Sequence, residues 1–325
     1  LLWIYRNVIH NSILKMRIAT LQYSPAISST PHNLTKLSAL LSPLQPSAID
    51  LLIFPELAIT GYNYPSLASI EPYLEPTTSG LSTQFAIATA VRLKCHVLMG
   101  YPERTLSTRS CTLPLDSKKY NSAVFVSPTG EVLANYRKHF LYYTDDTWAS
   151  AGEEGFYGAY IDSLDKRVAM GICMDLNPKE FKASWDEMEF ASHCVDSRAE
   201  LVLVSMAWTE RELRLDDDPA AAAAADAVGG DQPRLETLGY WLARLSPLVT
   251  RSKEEEMRGR EVLVVFANRS GTEGDVAYAG TSAIAGIKDG RIRIFDVLGK
   301  STEGLLIVDT EKAPVSGLTV VERDH

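Results

Sequence analysis

Three side chains able to do covalent chemistry each close a strand-like run. Glu56 follows Leu51-Leu52-Ile53-Phe54-Pro55, Lys138 follows Asn135-Tyr136-Arg137, and Cys173 follows Val168-Ala169-Met170-Gly171-Ile172, just before Asn177-Pro178 opens a helical stretch. The ends of strands are where α/β folds gather functional groups. A carboxylate in partly apolar surroundings has a raised pKa and gains strength as a base. A thiol on a sharp strand-to-helix turn stands exposed, with the N–H groups of the next turn free to hold an oxyanion. Taken singly, each residue also has a plainer role. Glu56 could be a solvated turn or a helix cap, Lys138 beside Arg137 could face solvent, and Cys173 could be a small hydrophobe ending a buried strand.

The surrounding pattern is an α/β rhythm. Short apolar, β-branched runs at 17–22, 50–54, 96–100, 122–126, 131–136, 167–172, 201–206, 262–267, 281–287, 291–296 and 304–309 read as strands. Helical patterns cover 32–42, 79–94, 178–197 and 234–257. Ser127-Pro128-Thr129-Gly130 carries turn residues in turn order between two strand patterns and predicts a hairpin. No repeat of solenoid length interrupts the series, so one domain over 16–325 is expected. The biased segment near 216–233, with Asp216-Asp217-Asp218-Pro219, a run of alanines and Gly229-Gly230, reads as a surface insertion within it.

Composition narrows the function classes. The 325 residues carry 32 basic and 41 acidic side chains, a net charge of −9, which disfavours a general nucleic-acid or anionic-membrane binder. With 46% hydrophobic residues and 22% charged, the chain can bury a large core. Cys95, Cys111, Cys173 and Cys194 are far apart and no His stands at metal-ligand spacing, so neither a zinc site nor a disulfide framework is expected. No apolar stretch reaches the roughly 20 residues of a membrane helix. A reducing, cytoplasmic compartment follows, or a mitochondrial one if Leu1 to Lys15, with Arg6, His10 and Lys15 but no acid, belongs to a presequence. Residues 1–15 are set outside the fold, because Met16 opens the first strand pattern.

The order Glu56, Lys138, Cys173, separated by 82 and 35 positions, resembles the Glu-Lys-Cys triad of the nitrilase superfamily of carbon-nitrogen hydrolases. The local strings agree: Phe54-Pro55-Glu56 with Thr60-Gly61-Tyr62 beyond it, Tyr136-Arg137-Lys138, and Gly171-Ile172-Cys173-Met174-Asp175. The likeness spans residues 16–310. Within the superfamily, Cys173-Met174-Asp175-Leu176-Asn177-Pro178 is similar to the fungal protein N-terminal amidases, where most relatives carry an aromatic after the Cys and an Arg in place of Asn177-Pro178. Ser205-Met206-Ala207-Trp208, Leu238-Gly239-Tyr240-Trp241-Leu242, Ala267-Asn268-Arg269-Ser270-Gly271 and Tyr278-Ala279-Gly280-Thr281-Ser282 match as well.

The resemblance implies a four-layer αββα sandwich. It also implies hydrolysis of the side-chain amide of N-terminal Asn or Gln to Asp or Glu, a product that can serve as a degradation signal. Cys173 would attack, Glu56 would take and return the proton, Lys138 and the N–H of Met174 would hold the oxyanion, and no cofactor or metal would take part. The superfamily places a second acid eight positions after the lysine, at Asp146 here; Asp145 is the alternative, and a solvated acidic loop is a third reading. Recognition of a free α-ammonium needs a carboxylate or an aromatic face, for which Asp175, Trp208, Glu210, Asn268 and Tyr278 are candidates, Asp175 also being suited to fixing the elbow. The expected partners are peptide or protein N-termini bearing Asn or Gln, with monomer and homodimer both open. Two other functions remain at this stage: an amidase of the same fold acting on a small-molecule amide, and a binding or scaffold protein without turnover. His139 and His193 are the partners a rival Cys-His mechanism would use, and Cys95 and Cys194 read as core.

Overall fold

The computed structural model describes residues 15–105, 117–210, 231–314 and 319–321. Residues 1–14, most of the expected insertion at 216–233, and Cys111 lie outside the described residues. The strands are β1 Arg17–Gln22, β2 Leu51–Ile53, β3 Glu75–Pro76, β4 His96–Arg104, β5 Lys119–Val126, β6 Val132–Arg137, β7 Tyr157–Ile161, β8 Lys166–Ile172, β9 Leu201–Met206, β10 Val262–Asn268, β11 Thr272–Glu273, β12 Val276–Ala277, β13 Ala283–Lys288, β14 Arg291–Val297, β15 Gly304–Asp309 and β16 Thr319–Val321. The α-helices are α1 Thr30–Leu41, α2 Leu67–Ile70, α3 Leu81–Leu93, α4 Glu189–Asp196, α5 Leu235–Ala243 and α6 Ser246–Ser252.

Two seven-stranded sheets form the centre. One runs β15-β1-β2-β4-β5-β6 with β3 beside β4, the other β16-β14-β13-β10-β9-β8-β7. Each has a parallel heart, β1-β2-β4 in the first and β8-β9-β10 in the second, flanked by antiparallel strands. Parallel neighbours need a crossover. Helices α1 and α3 supply it on the first sheet, and α4, α5 and α6 on the second.

Side chains alternate along each strand, and the two faces go to different places. Leu51 and Ile53 of β2, Leu98 of β4, and Ala123 and Phe125 of β5 point into the core between the sheets. Leu52, Val97, Met99, Val124 and Val126 point outward onto Leu37 and Leu41 of α1 and Ala86, Ala90 and Leu93 of α3. On the far side Phe190, Cys194, Leu238, Trp241 and Leu248 cover the second sheet. Helix, sheet, sheet, helix is the resulting order, and the αββα sandwich is the fold.

Most strands lie where the apolar runs put them. The helical patterns fare less well. The stretch 178–197 yields a helix only from Glu189, because Glu180, Phe181 and Met188 adopt left-handed φ of 54°, 55° and 45°. The stretch 234–257 breaks into α5 and α6 at Ser246-Pro247, since Pro247 has no N–H to continue the preceding turn. The hairpin at 127–130 forms, with Gly130 at φ 87° donating its N–H to the Ser127 carbonyl at 2.9 Å.

Candidate active site

Parallel strands end at one edge, and that edge collects the site. Glu56 lies just beyond β2, and Lys138 directly follows β6, which runs in the same sense as β2 and β4. The Glu56 turn is seated on Gly100 of β4. A Cβ at Gly100 would fall 2.8 Å from Leu57 N, 2.9 Å from Glu56 Cα and 3.0 Å from the Pro55 carbonyl oxygen, so only glycine admits the turn this close. The sheets meet here, too: Glu56 N donates to the Met206 carbonyl at 3.3 Å, and Ala207 N donates to Glu56 Oε2 at 2.8 Å.

Glu56, Lys138 and Asp145 form a fully buried ionic cluster. Lys138 Nζ lies 2.7 Å from Glu56 Oε1 and 2.5 Å from Asp145 Oδ2, with all three side chains closed to solvent. Asn121, on β5, donates its amide to both acids, at 2.6 Å to Glu56 Oε1 and 2.9 Å to Asp145 Oδ1. The Tyr142 N–H donates to Asp145 Oδ2 at 3.0 Å. Burial raises the Glu56 carboxyl from its ordinary range to about 7, with Asp145 pushing the same way and Lys138 opposing. Burial works against the Lys138 ammonium, but the charges of Asp145, Glu56 and Cys173 outweigh it and hold its pKa well above the usual lysine value.

Cys173 begins a tight 3-10 turn, Cys173–Leu176, directly after β8, with a left-handed φ of 43°. That is a strained value for a residue with a side chain, of the kind that persists only where neighbouring structure holds it. Asp175 does much of the holding: Oδ2 accepts the Ile172 N–H and the Tyr136 hydroxyl, both at 2.7 Å, and Oδ1 accepts the Phe140 N–H at 2.8 Å. One buried carboxylate thus ties the elbow carrying Cys173 to both flanks of Lys138.

The remaining sequence candidates divide. Asp146 is corrected: it is exposed, and Asp145 meets the lysine, because the 3-10 turn Asp145–Thr147 points its first side chain inward and its second out. Asp175 is buried, and three donors of the chain converge on its carboxylate, so it fills the elbow-fixing role. Asn268 is likewise engaged by the chain. Its Oδ1 accepts the Trp208 N–H at 2.8 Å, and its Nδ2 donates to the Gly280 carbonyl at 2.9 Å and the Trp208 carbonyl at 3.3 Å, so it splices the ends of β9 and β10. Tyr278 gives its hydroxyl to Glu273 at 2.7 Å and lies under the Arg269 guanidinium. Trp208 is buried against Tyr240 and Trp241, next to the strand end that receives Glu56. Glu210 is bridged to Arg234 at 3.0 Å.

His139 hydrogen-bonds the Gly152 carbonyl and stacks on Phe140, and His193 lies against Phe156, an aromatic packing role for each. Cys95 and Cys194 are buried, and burial pushes the Cys95 thiol to about 12. Among the described residues no group of three His, Cys, Asp or Glu side chains is arranged to hold a metal ion. None of their helices is long and apolar enough to cross a membrane. Two residues that sequence reading did not single out belong to the site: Asn121, a lone amide inside a strand, and Glu273, a buried acid in the two-residue strand β11. Neither carries a local signal, since their partners come from distant segments.

The family described as carbon-nitrogen hydrolase matches residues 17–225. Protein N-terminal amidase of Schizosaccharomyces pombe is 32% identical over 312 residues, covering 91% of this chain and 100% of the relative. Protein N-terminal amidase of Saccharomyces cerevisiae is 32% identical over 216 residues, covering 60% of this chain and 45% of that one. A crystal structure of an N-terminal amidase superposes with a TM-score of 0.74 at 22% identity, covering 91% of this chain and 97% of the other, and one with a Gln-Val peptide gives 0.73 at 21%, covering 90% and 97%. With the family matched over residues 17–225 and a relative 32% identical across 91% of this chain, the chain belongs to the carbon-nitrogen hydrolases.

Proposed function

We propose that this protein is an N-terminal amidase that hydrolyses the side-chain amide of an N-terminal Asn or Gln, releasing ammonia and leaving Asp or Glu. One observation carries the reading: a buried lysine paired with two carboxylates beside a strained Cys elbow, in a chain 32% identical over nearly its whole length to a protein N-terminal amidase.

The chemistry follows from the charges. A free thiol has a pKa near 8.5, so Cys173 needs a base to attack an amide at neutral pH. Glu56, raised by burial to about 7, is matched to that task. It takes the thiol proton as sulfur bonds to the amide carbon, then gives it to the nitrogen as the C–N bond breaks and ammonia leaves. Lys138, held charged by its two acids, and the Met174 N–H steady the negative charge that gathers on oxygen. Water, losing a proton to Glu56, then cleaves the thioester. Asp145 is a positioning residue in this scheme, anchoring Lys138 and, through Asn121, Glu56.

Two carboxylates around one ammonium give the site a negative balance, and exposed Asp146 adds to it. Such a field favours a positively charged chain terminus over a blocked one. Trp208, beside the strand end that receives Glu56, is the candidate for contact with the terminus, since Glu210 is engaged by Arg234 and Lys300 and the other three by the chain's own hydrogen bonds. The test is ammonia release from matched peptides beginning with Asn, Gln and acetyl-Asn, and one with internal Asn, run beside Cys173→Ala. Turnover confined to the free Asn and Gln termini and abolished in Cys173→Ala is expected. Equal turnover of the acetylated peptide, preference for a free small amide, or activity surviving in the variant would overturn it.

A further inference from the structure

The ring of Tyr62 lies over the Lys138 ammonium of the ionic cluster, and its hydroxyl takes no part in the cluster's hydrogen bonds. Its ring centroid is 5.6 Å from Lys138 Nζ, the residue is 2% exposed, and its hydroxyl is buried without a hydrogen-bond partner among the described residues. A hydroxyl left so costs about 1–3 kcal/mol. The nearest acids are already engaged: Glu56 Oε1 by Lys138 and Asn121, Glu56 Oε2 by Ala207, Asp145 by Lys138, Asn121 and Tyr142.

The phenol is held in place at some expense elsewhere. The N–H groups of Tyr62 and Asn63 donate to the Glu273 carboxylate at 3.2 and 2.8 Å, and Glu273 also receives the Tyr278 hydroxyl at 2.7 Å and the Arg269 guanidinium. Gly61, at φ 86°, leaves no room for a side chain, since a Cβ there would lie 2.6 Å from Glu273 Oε1 and 2.8 Å from Ile27 Cα. A buried ion pair therefore fixes the loop while its most central polar atom stays unused. Burial, reinforced by the charges of Asp145, Glu56 and Cys173, keeps the phenol protonated, so it can only donate.

We propose that the Tyr62 hydroxyl is a catalytic donor that hydrogen-bonds the carbonyl oxygen of the amide under attack. The inference rests on the amide-hydrolysis reading above and deepens it. As sulfur bonds to carbon, the carbonyl π pair moves onto oxygen and the hydrogen bond strengthens; as the C–N bond breaks, the pair returns. The phenol proton is never transferred.

Tyr62→Phe keeps the ring and removes only the hydroxyl. In steady-state ammonia release from an Asn-initiated peptide, kcat is expected to fall about a hundredfold, the usual loss for one oxyanion donor, with KM changed by less than about threefold. The midpoint of thermal unfolding should hold or rise, since no protein hydrogen bond is lost. Tyr64→Phe is the companion: its hydroxyl donates to the Thr60 carbonyl at 2.7 Å, so that variant should melt lower and keep its kcat. An unchanged kcat in Tyr62→Phe, or a kcat loss accompanied by a fall in melting as large as that of Tyr64→Phe, would overturn the proposal. Wild-type protein inactive on every amide in the same assay would instead remove the reading on which it rests.

Discussion

Asp145→Asn should move the acid limb of the kcat/KM profile down by about two pH units, from about 7 to about 5. Glu56 Oε1 and Asp145 Oδ1 accept from the same Asn121 nitrogen, at 2.6 and 2.9 Å. They therefore lie within roughly 5.5 Å of each other, where two unit charges at an effective dielectric near 20 repel by about 3 kcal/mol, or about two pH units. Burial is the first cause of the raised Glu56 pKa and Asp145 adds to it, so deleting that negative charge favours ionised Glu56 and lowers its pKa. Lys138 keeps Glu56 as a partner and stays charged, but its 2.5 Å ion pair with Asp145 is reduced to a hydrogen bond with a neutral amide. The unfolding free energy should drop by about 2 kcal/mol, the range of a charged hydrogen bond. The assay is initial-rate ammonia release from an Asn-initiated peptide across about pH 4 to 9, with urea unfolding of the same samples. Asp146→Asn, at an exposed side chain, should leave the limb in place and stability within about 0.5 kcal/mol. An acid limb that stays put in Asp145→Asn, or one that moves as far in Asp146→Asn, would refute the electrostatic account.

Two further substitutions probe the scaffold. Gly100→Ala puts a methyl 2.8 Å from Leu57 N and 2.9 Å from Glu56 Cα, so the Glu56 turn must shift; a stability loss of about 1–3 kcal/mol with kcat down more than about tenfold is expected, and wild-type rates would show the turn to be less constrained than its packing indicates. Asp175→Asn offers one acceptor oxygen where three donors now converge, Ile172 N, Phe140 N and the Tyr136 hydroxyl. A loss of about 2–4 kcal/mol in chemical denaturation is expected, together with a lower kcat as the elbow and the Lys138 segment loosen, whereas an unchanged kcat would mean the tie does not position them.

The parts legible along the chain were those with local physical signatures. Apolar, β-branched runs must be buried, and so β8, β9 and β10 fall where Val168–Ile172, Leu201–Met206 and Val262–Ala267 put them. The edge strand β7, Tyr157–Ile161, escaped notice because it is half exposed and contains Gly158, which blurs the alternation. The helical pattern at 178–197 could not announce the left-handed residues that delay α4 to Glu189, because those conformations are imposed by packing rather than by propensity.

The candidate site shows the same division. Glu56, Lys138 and Cys173 could be singled out because each closes a strand-like run, and their order and neighbouring strings matched a known family. Folding alone chose Asp145 over Asp146, a difference of one position in a short turn that rotates one side chain inward and the other into water. It also turned Asp175 and Asn268 from prospective ligands into braces. Asn121 and Glu273 acquire their parts only from partners as far as 65 and 211 residues away. Burial of a strand is a property of its own residues, so a linear sequence can declare it. A hydrogen bond between distant segments depends on where both backbones come to rest, which exists only in three dimensions.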